Sequence, residues 1–265
     1  MIKDTAFKSL AVFLLFNTFC FAQNYNAINA HSHNDYYRTE PLKEALNLNF
    51  KSIEVDVFLY GEKIVVAHSE DEIDTSKTLI KLYLDPLFKI YKERNNSIYS
   101  NTPLILLIDF KSESEQLYKV LENVLISYNQ MLSSYRANKK IDGAVDIVIS
   151  GNIPFDTIAG EIERLASIDG RSGDLKFDYP VSLMPLISED WFEISKIFYS
   201  NCENEMKEKI SNYIATAHSQ GKLIRFWNTP DSEGQWLLLY QLGVDLISTD
   251  RPTALAGFLN NQGNK

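Results

Sequence analysis

Cysteine is almost absent from this chain: its 265 residues hold two, Cys20 and Cys202. Cys20 sits in a leading segment expected to be removed, which leaves Cys202 alone and excludes an intramolecular disulfide. Zinc sites built on clustered thiolates are excluded with it. Histidine is nearly as scarce, with His31, His33, His68 and His218 making up the whole set. Blocks of like charge are missing, and the formal net charge is −9. No nucleic acid partner is therefore expected, because phosphate backbones recruit Lys/Arg patches. There is no GxGxxG fingerprint, no Pro/Gly/Ser-rich linker and no internal repeat. A dinucleotide-binding sheet and a second domain are both disfavoured by that.

Long apolar runs are missing too. The longest, SLAVFLLFNTFCFA at 9–22, falls short of the roughly 20 residues that span a bilayer. It follows Lys3 and Lys8 and ends on small residues before the polar Gln23, the pattern of a secretory signal peptide over 1–22. A membrane anchor is the alternative, disfavoured by length. Residues 23–265 are then one exported domain, periplasmic or secreted. The full chain is 45% hydrophobic, enough apolar mass for a full core without disulfides.

What the chain does have is a recurring apolar run. AINAH (27–31), SIEVDVFLY (52–60), KIVVAHS (63–69), PLILLIDFK (103–111), DIVISG (146–151), RLASID (164–169), VSLMPLIS (181–188), KLIRFWNT (222–229) and DLISTD (245–250) read as strands. Several are continuous rather than alternating, as in parallel sheets buried on both faces. Helical patterns lie between most of them, over 40–49, 113–138, 191–198, 203–219 and 232–243, with Gly221 and Gly243 as helix stops. If KIVVAHS folds back on its predecessor across GEK, eight principal strands remain. The expectation is an α/β fold, a single-domain (β/α)8 TIM barrel. Segment 70–102 is expected to be a partly helical lid over the rim.

Chemistry in such a barrel sits at the C-terminal strand ends. Strand one ends in His31 and His33, and strand two carries Glu54 and Asp56, two apart and so on one face, with Ile53, Val55 and Val57 on the other. The hairpin strand ends in His68, strand three in Asp109 and Lys111, strand five in Asp169, strand seven in Trp227 and strand eight in Asp250. Carboxylates gathered in a barrel mouth repel one another, and a divalent cation resolves this; three carboxylates suit Mg²⁺ or Ca²⁺ better than zinc. A salt-bridged structural pair at Glu54/Asp56 and an exposed strand end at Asp109/Lys111 are the bland alternatives. His31 and His68 flank the proposed metal and can divide proton transfer between them. Lys111 adds a positive contact, and Trp227 is placed to touch substrate. Arg171 meets either phosphate or a structural partner, Asp169 or Asp174. Asp35 and Arg38 lie in the loop after strand one, where either could line the pocket. His33 touches phosphate, orients His31 or shapes the turn. His218 reads as a surface helix residue.

In this order the residues resemble the phospholipase C-like phosphodiesterase superfamily, which includes glycerophosphodiester phosphodiesterases and phosphatidylinositol-specific phospholipase C. The matching pieces are AHSH, IEVDV, VVAHSE, LLIDFK, RFWNT and ISTDRP, spread over the mature chain. HSHNDY, DGRSGDL and PLISEDW look like one branch of that superfamily. The resemblance implies a barrel, one divalent cation at Glu54, Asp56 and Asp109, and phosphodiester cleavage with His31 and His68 as the acid/base pair. It implies a small phosphodiester or phospholipid headgroup as substrate, and with a lipid, transient contact with a membrane surface. The chain departs from glycerophosphodiesterases in carrying Ser32 and His33 where they read Arg-Gly, and in having no P-E-N-T segment. Two other readings compete. An amidohydrolase-like zinc enzyme would use HxH, but lacks histidines on strands five and six. A non-catalytic secreted barrel would keep the site without turnover.

Overall fold

The structure, a computed structural model, describes residues 27–199 and 203–262. The expected signal peptide, Cys20 and Cys202 lie outside the described residues. Eight parallel strands close into a barrel: β1 (Ile28–Ser32), β2 (Phe50–Tyr60), β3 (Leu104–Phe110), β4 (Val145–Gly151), β5 (Ala166–Gly170), β6 (Leu186–Asp190), β7 (Leu223–Trp227) and β8 (Leu246–Thr249). Each pairs with the next in sequence, and β8 returns to β1. The expected (β/α)8 barrel is the observed fold.

The outer layer is α1 (Lys43–Asn47), α2 (Asp85–Glu93), α3 (Ser114–Ile126), α4 (Phe155–Gly160), α5 (Trp191–Ile197), α6 (Glu203–Ser219), α7 (Glu233–Leu242) and α8 (Pro252–Gln262). Strand alternation divides the apolar residues into two cores. Ile53, Val55, Val57, Leu106 and Ile108 face the helices, within the main cluster that also holds Leu117, Leu121 and Trp236. Ile105, Leu107, Val148, Leu186 and Leu246 fill the barrel interior. Further along the same inward faces the side chains turn polar: Asp109 follows Leu107, Ser150 follows Val148, Ser188 follows Leu186. An apolar floor under a polar mouth is thus written into each strand, and that layering positions the site.

Three local expectations change. Segment 70–102, expected as a lid, stays at the rim only at its start, where Glu72 accepts from Tyr37 O–H and the His68 N–H. Leu79, Tyr83, Leu84 and Leu87 are fully buried in the main core, so a π-helical turn (Ile80–Leu84) and α2 form the ordinary crossover from the β2 hairpin to β3. The helix expected over 113–138 stops at Ile126. Beyond it Met131 and Ser133 are hydrogen-bonded to Ala144 and Val145 at the start of β4. Ser134–Arg136 then folds on Lys139–Ile141 through Ala137 and Asn138, both at positive φ as a tight hairpin turn requires, and pairs with Glu163–Arg164. The strand expected from 181 starts after Pro185, which has no N–H to give the ladder. Lys63–Val66 pairs antiparallel with β2, as expected for the hairpin. Gly243 ends α7 in the left-handed conformation, also as expected.

Candidate active site

In the β2–β3 register Asp56 stands opposite Asp109, and Asp109 opposite Ser150 of β4. Glu54, Asp56 and Asp109 each offer a carboxylate oxygen within 4.8 Å of the others. Gly151 makes room for this group, since a Cβ there would fall on Asp109 Oδ1 and the Phe110 backbone. Asp56 Oδ1 is buried without a hydrogen-bond partner. Burial, then the Glu54 charge, pushes the Asp56 carboxyl above its ordinary value, with Lys111 opposing. Burial likewise raises Asp109, against Lys111 and with Glu54 and Asp56 adding to the rise. An orphaned oxygen and an all-carboxylate donor set, whose three charges outnumber the two cations paired with them, fit a hard divalent cation.

Cations of the chain itself crowd the same group. Lys111 Nζ lies 3.1 Å from Asp56 Oδ2 and 3.0 Å from Asp109 Oδ1. Arg225, on the inner face of β7 two residues before Trp227, donates from Nη1 to Glu54 Oε2 at 2.7 Å and from Nε to Ser188 Oγ at 3.1 Å. Burial works against the Glu54 charge, but Arg225 and His31 outweigh it and hold the carboxyl well below its usual range. Arg225 is a site residue not expected from the sequence, although it opens the matching piece RFWNT. Arg171 donates to Asp169 Oδ2 at 3.0 Å and to Ser150 Oγ at 3.3 Å, and its guanidinium lies over the Trp227 ring at 4.9 Å. The structure pairs it with Asp169 through its side chain, while Asp174 accepts only its backbone N–H. His33, Glu54, Asp109, Lys111, Ser150, Arg171, Arg225 and Trp227 enclose a cavity of about 170 Å³ at the C-terminal mouth.

The histidines divide by depth. His31 is fully buried and does not line that cavity. Its Nδ1 lies 2.8 Å from Ser52 Oγ, and its Nε2 lies 2.7 Å from Arg225 Nη1 and 2.8 Å from Glu54 Oε2. Burial, then Arg225, brings its pKa down to about 4. Neutral His31 serves one Nε2 neighbour at a time: Nε2 accepts from Arg225 with Nδ1–H donating to Ser52, or Nε2–H donates to Glu54 with Nδ1 accepting from Ser52. His68 sits at the rim, half exposed, with Nδ1 2.9 Å from Asp56 Oδ2. Tyr36 O–H, from the loop after β1, reaches the same Asp56 oxygen at 2.8 Å and lies 3.1 Å from His68 Nδ1. His33 lines the cavity, with Nδ1 3.0 Å from Asp250 Oδ1. Asp35 does not line it: it is buried beneath the loop, accepting from Ser32 Oγ, Tyr83 O–H and Leu42 N–H. Arg38 does not line it either, and donates to the His33 carbonyl. His218 is in the last turn of α6, bound to Asp245.

A (β/α)8 barrel with an acidic cluster and a cationic cavity at its strand ends defines the class, and comparison with known proteins defines the family. Residues 20–167 match the model of the AIM6-like phosphodiesterase domain. The chain belongs to that family, within the phospholipase C-like phosphodiesterase superfamily its motifs resemble. It is 27% identical to an altered inheritance of mitochondria protein 6 homolog of Arthroderma benhamiae, over 87% of this chain and 83% of that one. It is 28% identical to altered inheritance of mitochondria protein 6 of Eremothecium gossypii, over 86% and 68%. With the Saccharomyces cerevisiae protein of the same name identity is 35% over 149 residues, 49% of this chain and 38% of that one. Among solved structures, a glycerophosphodiester phosphodiesterase from Parabacteroides distasonis superposes with TM-score 0.55 at 16% identity, covering 90% of this chain and all of that one. One from Agrobacterium tumefaciens gives 0.50 at 14%, covering 89% and 99%. At these identities the likeness is one of fold.

Proposed function

We propose that the chain is a phosphoric diester hydrolase acting on a glycerophosphodiester or phospholipid-type headgroup, with one divalent cation, Mg²⁺ or Ca²⁺, held by Glu54, Asp56 and Asp109. The carrying observation is the meeting of acids and cations around one small cavity. Glu54, Asp56, Asp109 and Asp169 bring four formal negative charges, and Lys111, Arg171 and Arg225 return three. One divalent cation leaves a single positive charge, which a phosphodiester monoanion cancels. Family membership supports the same reaction class.

A cation held there would screen the charge that builds on the non-bridging oxygens. Lys111 and Arg171 hold the phosphate from two sides, and Trp227, fixed under Arg171, walls one of its substituents. His68, with Nδ1–H donating to Asp56, takes the proton of the attacking water or substrate hydroxyl at Nε2. The zinc reading fits less well, because an HxH clamp needs both rings free, and His31 is engaged by Ser52 and Arg225 and His33 by Asp250. Export by the expected signal peptide is part of the proposal, and a lipid substrate would bring the mouth to a membrane surface. No helix among the described residues is long and apolar enough to cross a membrane.

The test is hydrolysis of bis(p-nitrophenyl) phosphate and a glycerophosphodiester with Mg²⁺, Ca²⁺, Zn²⁺ or chelator. Turnover should need Mg²⁺ or Ca²⁺, and Glu54→Ala or Asp56→Ala should weaken cation binding in calorimetry. Tight stoichiometric zinc would favour the amidohydrolase-like alternative, and absence of turnover with every metal the binding barrel.

A further inference from the structure

Toward the N-terminal ends of the strands a separate cavity of about 490 Å³ lies between α3 and the small sheet of Ser134–Arg136, Lys139–Ile141 and Glu163–Arg164. Tyr118, Leu125, Ile126, Tyr135, Ile141 and Arg164 line it, and none of them lines the mouth. Its volume is that of a small-molecule site. We propose that this cavity binds a single-chain carboxylate amphiphile, with the head on Arg164 and the alkyl tail between the end of α3 and Ile141. The site stands apart from the reaction at the mouth.

Arg164 carries the argument for the head. It stands opposite Tyr135 in the small sheet, and its guanidinium lies over that ring at 4.9 Å. The residue is only 6% exposed. A guanidinium has five N–H donors to satisfy. Nη2 donates to the Ser182 carbonyl at 2.7 Å. Nε is buried without a partner, and Nη1 has none among the described residues. The neighbouring ion pair joins Arg136 to Glu163 at 2.9 Å, and no carboxylate among the described residues bonds to Arg164. Glu161 acts on it through space, but burial pushes that carboxyl up to about 7, so near neutral pH Glu161 balances the guanidinium only in part. Burial works against the Arg164 charge, and an anion reaching it relieves that cost.

The tail follows from what flanks the charge. Leu125 is buried, while Ile126 and Ile141, on opposite elements, are 61% and 62% exposed. One apolar side chain at a surface means little. Two of them at the opening of a cavity with a buried, unpaired cation describe a site for a molecule with a charged end and an apolar end. The head is a carboxylate for two reasons. Its planar pair of oxygens matches a guanidinium. A single negative charge also balances a single Arg164, whereas a phosphate monoester brings more than one near neutral pH and would set the excess near Glu122, which lines the cavity, and Glu161.

The experiment is calorimetry near neutral pH on residues 23–265, titrated with hexanoate, octanoate and decanoate below their aggregation concentrations. Binding should saturate at one molecule per chain and tighten by about three- to fourfold for each CH₂ buried. Decanol and decyltrimethylammonium should bind at least about tenfold more weakly than decanoate, since neither gives the guanidinium an anionic acceptor. Arg164→Met should weaken decanoate by about 10–100-fold. Ile126→Glu, at an exposed position, sets a charge where the tail enters and should also weaken it by about tenfold or more. Thermal melts confirm folding, and if Arg164→Met does not fold, Ile126→Glu carries the test. Absence of saturable decanoate binding, equal affinity for decyltrimethylammonium, tighter binding of decyl phosphate than of decanoate, or wild-type affinity in the folded variants would overturn the proposal.

Discussion

At the scale of the residue, the buried Arg225–Glu54 pair governs the floor of the site. Both side chains are nearly inaccessible, and they bond at 2.7 Å with His31 alongside. Arg225→Met strands the Glu54 charge in the barrel. We expect about 3–5 kcal/mol lost in urea unfolding. Saturating Mg²⁺ or Ca²⁺ should recover more stability in this variant than in the wild type, because it takes up the charge the arginine left. The double variant Arg225→Met/Glu54→Gln should recover most of the loss without metal. Equal destabilisation in single and double variants would mean that lost packing, not stranded charge, is the cause. Glu54, Asp56 and Asp109 were legible as a cluster because strand alternation alone sends them inward. The same rule sends Arg225 inward from KLIRFWNT, but nothing in the piece RFWNT separates the arginine's role from that of Trp227. The roles of His31 and His33 were not legible, since alternation gives the face of a side chain and not its depth.

At the scale of the element, the loop after β1 is held from below. Asp35 accepts from Ser32 at 2.9 Å, Tyr83 at 3.0 Å and the Leu42 N–H, tying β1, the π-helical turn before α2, and the entry to α1 into one joint. All three partners are donors, so an amide in its place turns one N–H₂ toward a donor. Asp35→Asn should cost about 1–3 kcal/mol in urea unfolding. It should also lower kcat/KM, because this loop carries His33 and Tyr36. Tyr83→Phe removes one bond and should do less of both. Unchanged stability in Asp35→Asn would show that the joint is not made by these bonds. HSHNDY thus reads as two histidines at two depths, an Asn34 at positive φ that turns the chain, and a buried acid that pins the turn. The helix boundary after α3 was illegible for a different reason. Apolar spacing continues past Ile126 through Tyr128 and Met131, but Tyr128 bonds Asp85 of α2 and Met131 bonds the start of β4, long-range contacts that periodicity does not encode.

At the scale of the whole molecule, the two ends of the barrel carry separable chemistry. The mouth holds the acid and cation cluster. Toward the N-terminal ends of the strands, between α3 and the small sheet of Ser134–Arg136, Lys139–Ile141 and Glu163–Arg164, lies a second titrating group. Glu161 accepts from Tyr118 O–H at 2.8 Å and stands beside Glu122. Burial first, and then Glu122, pushes its pKa up to about 7 from an ordinary 4.5, against the Tyr118 bond and Arg164. A carboxyl raised on folding favours the native state while both states are protonated, and that contribution is lost as pH climbs through the folded value. Stability should therefore decline between about 4.5 and 7 from this group. Glu161→Gln keeps an uncharged side chain at every pH and should flatten that decline, as should Glu122→Gln more weakly. Neither residue lines the mouth cavity, so the pH–rate profile on a phosphodiester should keep its wild-type limbs. Urea unfolding at several pH values, run beside rate profiles, checks both halves. A flattened stability curve with a displaced rate profile would show that the two ends of the barrel are energetically coupled rather than independent.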